Sequence, residues 1–275
     1  MALKEVTLGI EPINNYLGRS FMKKERKNAA QGQKGFVGSV LLANADWDRV
    51  KLIEDLQSQW GICVEESEGQ RDNQMVFHVG KMIAAVALIP APVPGNEAEE
   101  NAAGNYLWPG AVEAAENHKA HLMAAIMGTE PNMIEQGKLF VKLLACCCNQ
   151  KNVLGIYSSG TVFEPQFYED CARVMKDDEL PLLNWIWFGL WRRKNGICCY
   201  TYGMDVFGKD EMEVLDANAN PSDVRNFLLN LAAYVLENDV TLKKGETIGF
   251  SEEDKHSITR SKGAALPGKT LKISY

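Results

Sequence analysis

The sequence lacks any apolar run long enough to cross a bilayer. Its greasiest stretch, Leu180 to Trp191, falls far short of the ~20 residues a spanning helix needs, and Asn184 interrupts it. Met1 to Gly9 also lack the continuous apolar core of a signal peptide, so a cytoplasmic location away from membranes is expected. No Walker motif, no G-x-G-x-x-G fingerprint and no G-x-S-x-G elbow occurs, which removes the common nucleotide-binding and serine-hydrolase signatures. The basic excess of a nonspecific nucleic-acid binder is missing too: 29 basic against 36 acidic residues leave a net charge of -7.

Seven cysteines are present, but Cys63, Cys146, Cys147, Cys148, Cys171, Cys198 and Cys199 do not form a disulfide framework. Five of them sit in contiguous clusters, and none makes a CxxC pair with a second pair or a histidine partner. They read as small buried hydrophobes of a reducing compartment. Neither a metal nor a cofactor is expected. At 275 residues, 46% hydrophobic and 24% charged, the chain can bury one large core or two modest ones.

Charge divides the chain. Residues 1–34 hold seven basic and three acidic side chains, a net +4, which leaves -11 for the remainder. The segment reads as a basic N-terminal arm, solvated or forming a short helix. From Gly35 the periodicities become regular. Strands are predicted at Phe36 to Leu42, Met75 to Val79, Met82 to Ile89, His121 to Met127 and Val153 to Tyr157. A helix capped by Asn44 or Asp46 and stopped at Gly61 follows the first, and another runs from Pro131 to about Cys148. Beyond Lys176-Asp177-Asp178-Glu179, strands are predicted at Asn184 to Leu190, at Gly196 to Thr201 behind an Asn195-Gly196 turn, and at Glu211 to Leu215. A helix capped by Asn220 then shows one apolar stripe: Val224, Phe227, Leu228, Leu231, Val235 and Leu236. The pattern implies an α+β fold with mixed, mostly antiparallel sheets and packed helices. It divides into a basic arm at 1–34, an α+β domain at 35–178 that two ferredoxin-like halves would build, and a C-terminal α+β domain at 179–275.

Few residues carry chemistry. His118 and His121 lie three apart beside Glu116 and make a candidate polar site, although a strand starting at His121 would point the rings apart. Ser158, Ser159, Gly160 and Thr161 follow a strand and make a candidate ligand turn, since free amides there can meet a carboxylate or phosphate. Ser251 followed by Asp254 looks like a helix start, with His256 and Arg260 beyond it. Trp185, Trp187 and Trp191 beside Arg192 and Arg193 make a candidate interface, with burial in the core as the competing reading.

Several phrases taken in order carry a family resemblance: Gly35-Phe36-Val37-Gly38, Pro90-Ala91-Pro92-Val93-Pro94, His118-Lys119-Ala120-His121, Tyr157-Ser158-Ser159-Gly160-Thr161-Val162-Phe163 and Asn184-Trp185-Ile186-Trp187-Phe188-Gly189, continuing from Tyr202-Gly203-Met204 to Gly245-Glu246-Thr247-Ile248-Gly249-Phe250. The chain resembles bacterial proteins with the domain of unknown function 4261, whose defining part corresponds to the last hundred residues or so. That family brings no catalytic motif to carry over. The C-terminal order from Thr201-Tyr202-Gly203-Met204 to Gly245-Glu246-Thr247 is also similar to suppressor-of-fused-like domains, many bacterial members of which are thought to be toxin-neutralising immunity proteins. The resemblance implies a protein-binding module, of immunity or stress-related type, facing an unknown protein partner such as a basic toxin; self-association is open to it as well. The alternative is a small-ligand-binding enzyme or hydrolase that joins the Ser158–Thr161 turn to a nearby histidine.

Overall fold

The computed structural model describes residues 35–65, 71–128, 132–249, 251 and 253–275. The basic arm at 1–34 lies outside the described residues. Two six-stranded sheets organise the rest. The first contains β1 (Phe36–Leu42), β2 (Gln74–Val79), β3 (Met82–Ile89), β4 (Ala120–Gly128), β5 (Val153–Ser158) and β6 (Thr161–Phe163) in the order β2-β3-β4-β1-β5-β6. Every pairing in it is antiparallel. The second contains β7 (Trp187–Arg193), β8 (Gly196–Tyr202), β9 (Met212–Ala217), β10 (Thr247–Ile248), β11 (His256–Lys262) and β12 (Lys269–Ile273) in the order β10-β11-β12-β9-β8-β7. Only β12 and β9 run parallel. The fold class is α+β, as the alternation of patterns implies.

Residues 35–178 do not divide into two ferredoxin-like halves. β4 pairs with β1 on one side while β5 pairs with β1 on the other, so both add to a single sheet. The crossover between them is α4, because α1 (Arg49–Trp60), α2 (Glu97–Ala102) and α3 (Ala111–Asn117) come first and α4 (Met133–Cys147) joins β4 to β5 across β1. α4 buries Leu139, Phe140, Leu143, Leu144 and Cys147 against one face of the sheet. Gly38 on β1 is required there, since a Cβ would lie 2.9 Å from the Phe140 ring. α2 and α3 lie on the opposite face, and only over its β5–β6 end, where Ala98, Ala102, Ala111 and Ala115 surround Leu41, Tyr157 and Val162.

Several local expectations shift. Asp48 caps α1 by accepting from the Lys51 N–H at 2.9 Å, while the Asn44 and Asp46 carbonyls accept from the Asn152 amide. Gly61 ends α1 in the left-handed region. The strand predicted from Asn184 begins only at Trp187, since α6 (Leu182–Trp185) forms a single turn after α5 (Pro165–Ala172). The turn before β8 is Lys194-Asn195, and Gly196 already belongs to the strand, where a Cβ would meet the Asp216 and Ala217 backbone at 2.5–2.7 Å. α7 (Pro221–Glu237) buries the apolar stripe as read, but Asn220 at its cap donates to Asp223 Oδ2 at 3.3 Å rather than accepting from the helix. No helix forms after Ser251: the Asp254 N–H donates to Ser251 Oγ at 3.2 Å and the chain turns into β11.

Buried residues of both sheets form one continuous cluster, from Phe36 and Val40 through Phe188 and Leu190 to Ile258 and Leu271. Trp187 sits at the joint, 5.0 Å from the Tyr106 ring and 6.4 Å from the Phe163 ring. Trp185 lies 5.0 Å from Phe207 and presses on Gly137 of α4. A shared core predicts one cooperative unfolding transition for both sheets. Trp187→Ala is expected to cost about 3–5 kcal/mol in denaturant unfolding while keeping that single transition.

Candidate functional site

Most of the chemically interesting side chains identified from sequence are engaged in holding the chain together. His118, just past α3, accepts the Val93 N–H at Nε2 (2.8 Å) and donates from Nδ1 to the Ala115 carbonyl. That pattern fixes the tautomer with its proton on Nδ1. His121 on β4 donates from Nδ1 to the Ala91 carbonyl at 2.8 Å. The two rings thus pin the Pro90–Pro94 loop, whose prolines leave it few donors of its own. Burial holds the His121 imidazole below its ordinary range, against the opposing pull of the Ala91 carbonyl. Glu116 stands exposed on α3. Among the described residues, no group of three His, Cys, Asp or Glu side chains could hold a metal ion.

The Ser158–Thr161 turn is a two-residue hairpin between β5 and β6, with Ser159 (φ 51°) and Gly160 (φ 68°) both left-handed. Gly160 is needed twice over, since a Cβ would also lie 2.7 Å from the Tyr202 ring of the second sheet. Ser159 Oγ donates to the Asn184 carbonyl at 3.0 Å, and Asn184 Nδ2 donates to the Tyr168 carbonyl at 2.9 Å. The turn therefore faces the joint between the sheets. Strand alternation separates it from the histidines. His121 pairs with Leu41 and shares its face with Tyr157, whereas Ser158, next to Tyr157, points to the other face together with its partner Thr161. The structure does not bring the turn and these rings to a common pocket.

The tryptophans are interior. Trp185, Trp187 and Trp191 are all buried, and Arg192 and Arg193 are exposed, the latter 3.2 Å from Asp216. Tyr200 lies over Gly189, where a Cβ would approach its ring to 2.1 Å, so the small residue on β7 makes room for the aromatic on β8. The three contiguous cysteines are likewise inert. Burial pushes the Cys146 thiol up to about 12 and also raises the Cys147 and Cys148 thiols well above their ordinary value.

Sequence reasoning missed two buried carboxylates on the second sheet. Glu211, just before β9, accepts from Thr201 Oγ1 (2.7 Å), the Gly203 N–H (2.8 Å) and the Asp205 N–H (3.4 Å). It ties down the Met204–Phe207 turn that carries Phe207 to the joint. Glu213, two residues on, meets Lys272 Nζ at 2.8 Å and the Ala264 and Ala265 N–H groups at 2.9–3.0 Å. It closes the 263–268 loop between β11 and β12. The available signal was the placement of charges inside an apolar strand, each opposite a glycine-bearing loop (Gly203 and Gly208, Gly263 and Gly268).

Residues 200–274 match a family model described as Domain of unknown function (DUF4261). No curated protein and no solved structure matches the chain. The DUF4261 segment runs from the end of β8 to the end of β12, so both carboxylates and both loops they close fall inside it. It also supplies the whole lining of a groove of about 180 Å³, with Met204, Lys209, Asp210, Met212, Val235 and Leu271 among its residues. The charged groups at its rim are paired: Lys209 with Asp239 at 2.6 Å, and Asp210 with Arg260 at 2.9 Å. At the start of β11, His256 bridges the Ser274 carbonyl (2.7 Å) and Asp254 (2.8 Å), which fastens the C-terminal residues.

The two glutamates differ in their electrostatics. Burial raises Glu213, but Lys272 and the loop N–H groups outweigh it and hold the carboxyl below its ordinary value. Among the described residues no cation pairs with Glu211, and burial together with Asp205 pushes its pKa from 4.5 to about 7. The folded protein then keeps a proton that the unfolded chain releases between about 4.5 and about 7. Its contribution to stability is therefore full below that window and is lost as pH rises through it. Denaturant midpoints measured across the window are expected to show this fall in the wild type relative to Glu211→Gln. Comparison with the variant cancels the opposing slope from His121. Separately, His118→Phe leaves the buried Val93 N–H without its acceptor, and is expected to cost about 1–3 kcal/mol and speed amide exchange in the Pro90–Pro94 loop.

Proposed function

We propose that this protein is a protein-binding module, of immunity or stress-related type, and that its contact surface is the outer face of the first sheet. One observation carries the reading. Antiparallel sheets that face solvent on one side present polar side chains there, but most side chains of this face are apolar and none is a carboxylate, lysine or arginine. Val37, Met123 and Met127 are 63%, 40% and 42% exposed, and Ile83, Ala85 and Ala125 lie among them. Cross-strand register joins them into one patch of three rows over β2, β3, β4 and β1: Val76, Ala85, Ala125 and Val37 form the middle row, His78, Ile83 and Met127 the row on one side, and Gln74, Ala87, Met123 and Ser39 the row on the other. No Asp, Glu, Lys or Arg stands in these rows. Continuous apolar patches of this kind mark contact surfaces.

The interaction role expected of Trp185, Trp187 and Trp191 is taken up within the chain, so the module's outward contact falls to this face instead. Affinity purification of the full chain from its native host, in parallel with Met123→Lys, tests the proposal. A protein recovered in stoichiometric amount with the wild type, an untagged copy of the same chain included, and reduced about tenfold with the variant is the expected outcome. Equal recovery with both proteins would overturn it.

A further inference from the structure

We propose that the apolar outer face of the first sheet binds a second copy of this chain. The inference rests on the reading of that face as a contact surface and names its occupant. Three properties favour self-association. First, the face carries no charge to recognise: a basic partner is selected by carboxylates, and the rows over β2, β3, β4 and β1 have none. Two copies of a chain with net charge -7 also meet with least repulsion through a surface free of acidic groups.

Second, the relief of the patch complements itself. Ala85 and Ala125 form a low centre, with Met123 and Met127 standing on either side of it along β4. A two-fold axis through the alanine row, at right angles to the strands, sets Met123 of one copy over Met127 of the other. Such isologous contacts need only one surface to be matched. Methionine is the apolar side chain best able to adapt across such a seam.

Third, the area fits a reversible pair. Four strands about 4.8 Å apart and three side-chain rows about 6.8 Å apart give a face of roughly 400 Å² per copy. The roughly 800 Å² buried in total is below the ~1,200 Å² at which stable complexes begin. The expected species is a weak dimer in exchange with a monomer that already has its own core.

Sedimentation equilibrium of the full chain between about 10 and about 500 μM reads this directly. The expected result is a monomer–dimer equilibrium, weakened about tenfold or more by Met123→Lys and by Met127→Lys, whose exposed positions leave the fold intact. Peroxide oxidation with mass-spectrometric readout identifies the surface: Met123 and Met127 should become protected as concentration rises, with buried Met75 and Met212 protected throughout. A monomer at every concentration would overturn the proposal, as would a dimer that both variants leave unchanged. Protection of Met123 and Met127 in a monomer would also overturn it, and would assign the cover to the chain's own residues. A monomer that still captures a foreign protein through Met123 removes only the second copy and leaves the protein-binding reading standing. A monomer with no capture removes both.

Discussion

The seating of Trp187 between the two sheets is the contact on which the rest of the molecule depends. β6 and β7 are the edge strands that the two sheets turn toward each other, and an apolar edge strand left open invites pairing with another chain. One short loop closes both. Asn105 donates to the Val162 carbonyl on β6 at 2.7 Å, and Tyr106 donates to the Phe188 carbonyl on β7 at 2.6 Å while its ring packs at a tilt against Trp187. Burial pushes the Tyr106 phenol up, so it remains a donor. The hairpin at Ser159-Gly160, the Asn184 amide and the Phe207 ring then fit around the same joint. Large aromatic rings suit that position because they bury wide area with few rotatable bonds.

Around this joint, polar groups that resemble catalytic machinery act as internal fasteners. A buried N–H or carbonyl without a partner costs about as much as a lost hydrogen bond, so every irregular loop needs an acceptor or donor from elsewhere. His118 and His121 supply them to the proline loop, Glu211 to the Met204–Phe207 turn, Glu213 to the 263–268 loop and His256 to the C-terminal residues. Glu213 shows why a charged fastener can be stable: Lys272 and the backbone N–H groups of Ala264, Ala265 and Leu266 satisfy it. Glu211 shows the cost when the cation is missing, since its proton then follows solvent pH near neutrality.

Regular elements were legible in the sequence because their periodicities are local. The stripe on Val224, Phe227, Leu228, Leu231, Val235 and Leu236 and the strands at Phe36 and Met82 needed no distant information. Elements that depend on distant partners were not. Asn44 and Asp46 look as good as Asp48 for a cap until Asn152 claims their carbonyls. Whether β4 and β5 start a new sheet or extend an existing one is decided by pairing with β1, which no spacing reveals. The joint was half legible. Tryptophans beside arginines announced a contact, but its partner, Tyr106 with Phe163, lies some 24 to 81 positions away and belongs to the same chain.

The outer face of the first sheet escaped notice for a different reason. β4 reads Ala120-His121-Leu122-Met123-Ala124-Ala125-Ile126-Met127, apolar at both parities, and such a strand is ordinarily buried on both sides. Ala120, Leu122, Ala124 and Ile126 face the core under α4, while Met123, Ala125 and Met127 face outward beyond the reach of α2 and α3. A pattern that satisfies both faces of a strand signals two layers of cover. The helices among the described residues supply one layer across the whole sheet and the second over only the β5–β6 end. The hydrophobic effect acts on the remaining area as it does on a core, at about 25 cal/mol per Å² removed from water. A sequence keeping that area apolar and free of charge, on strands whose inward faces already satisfy the fold, is one in which the outward face is under a constraint of its own.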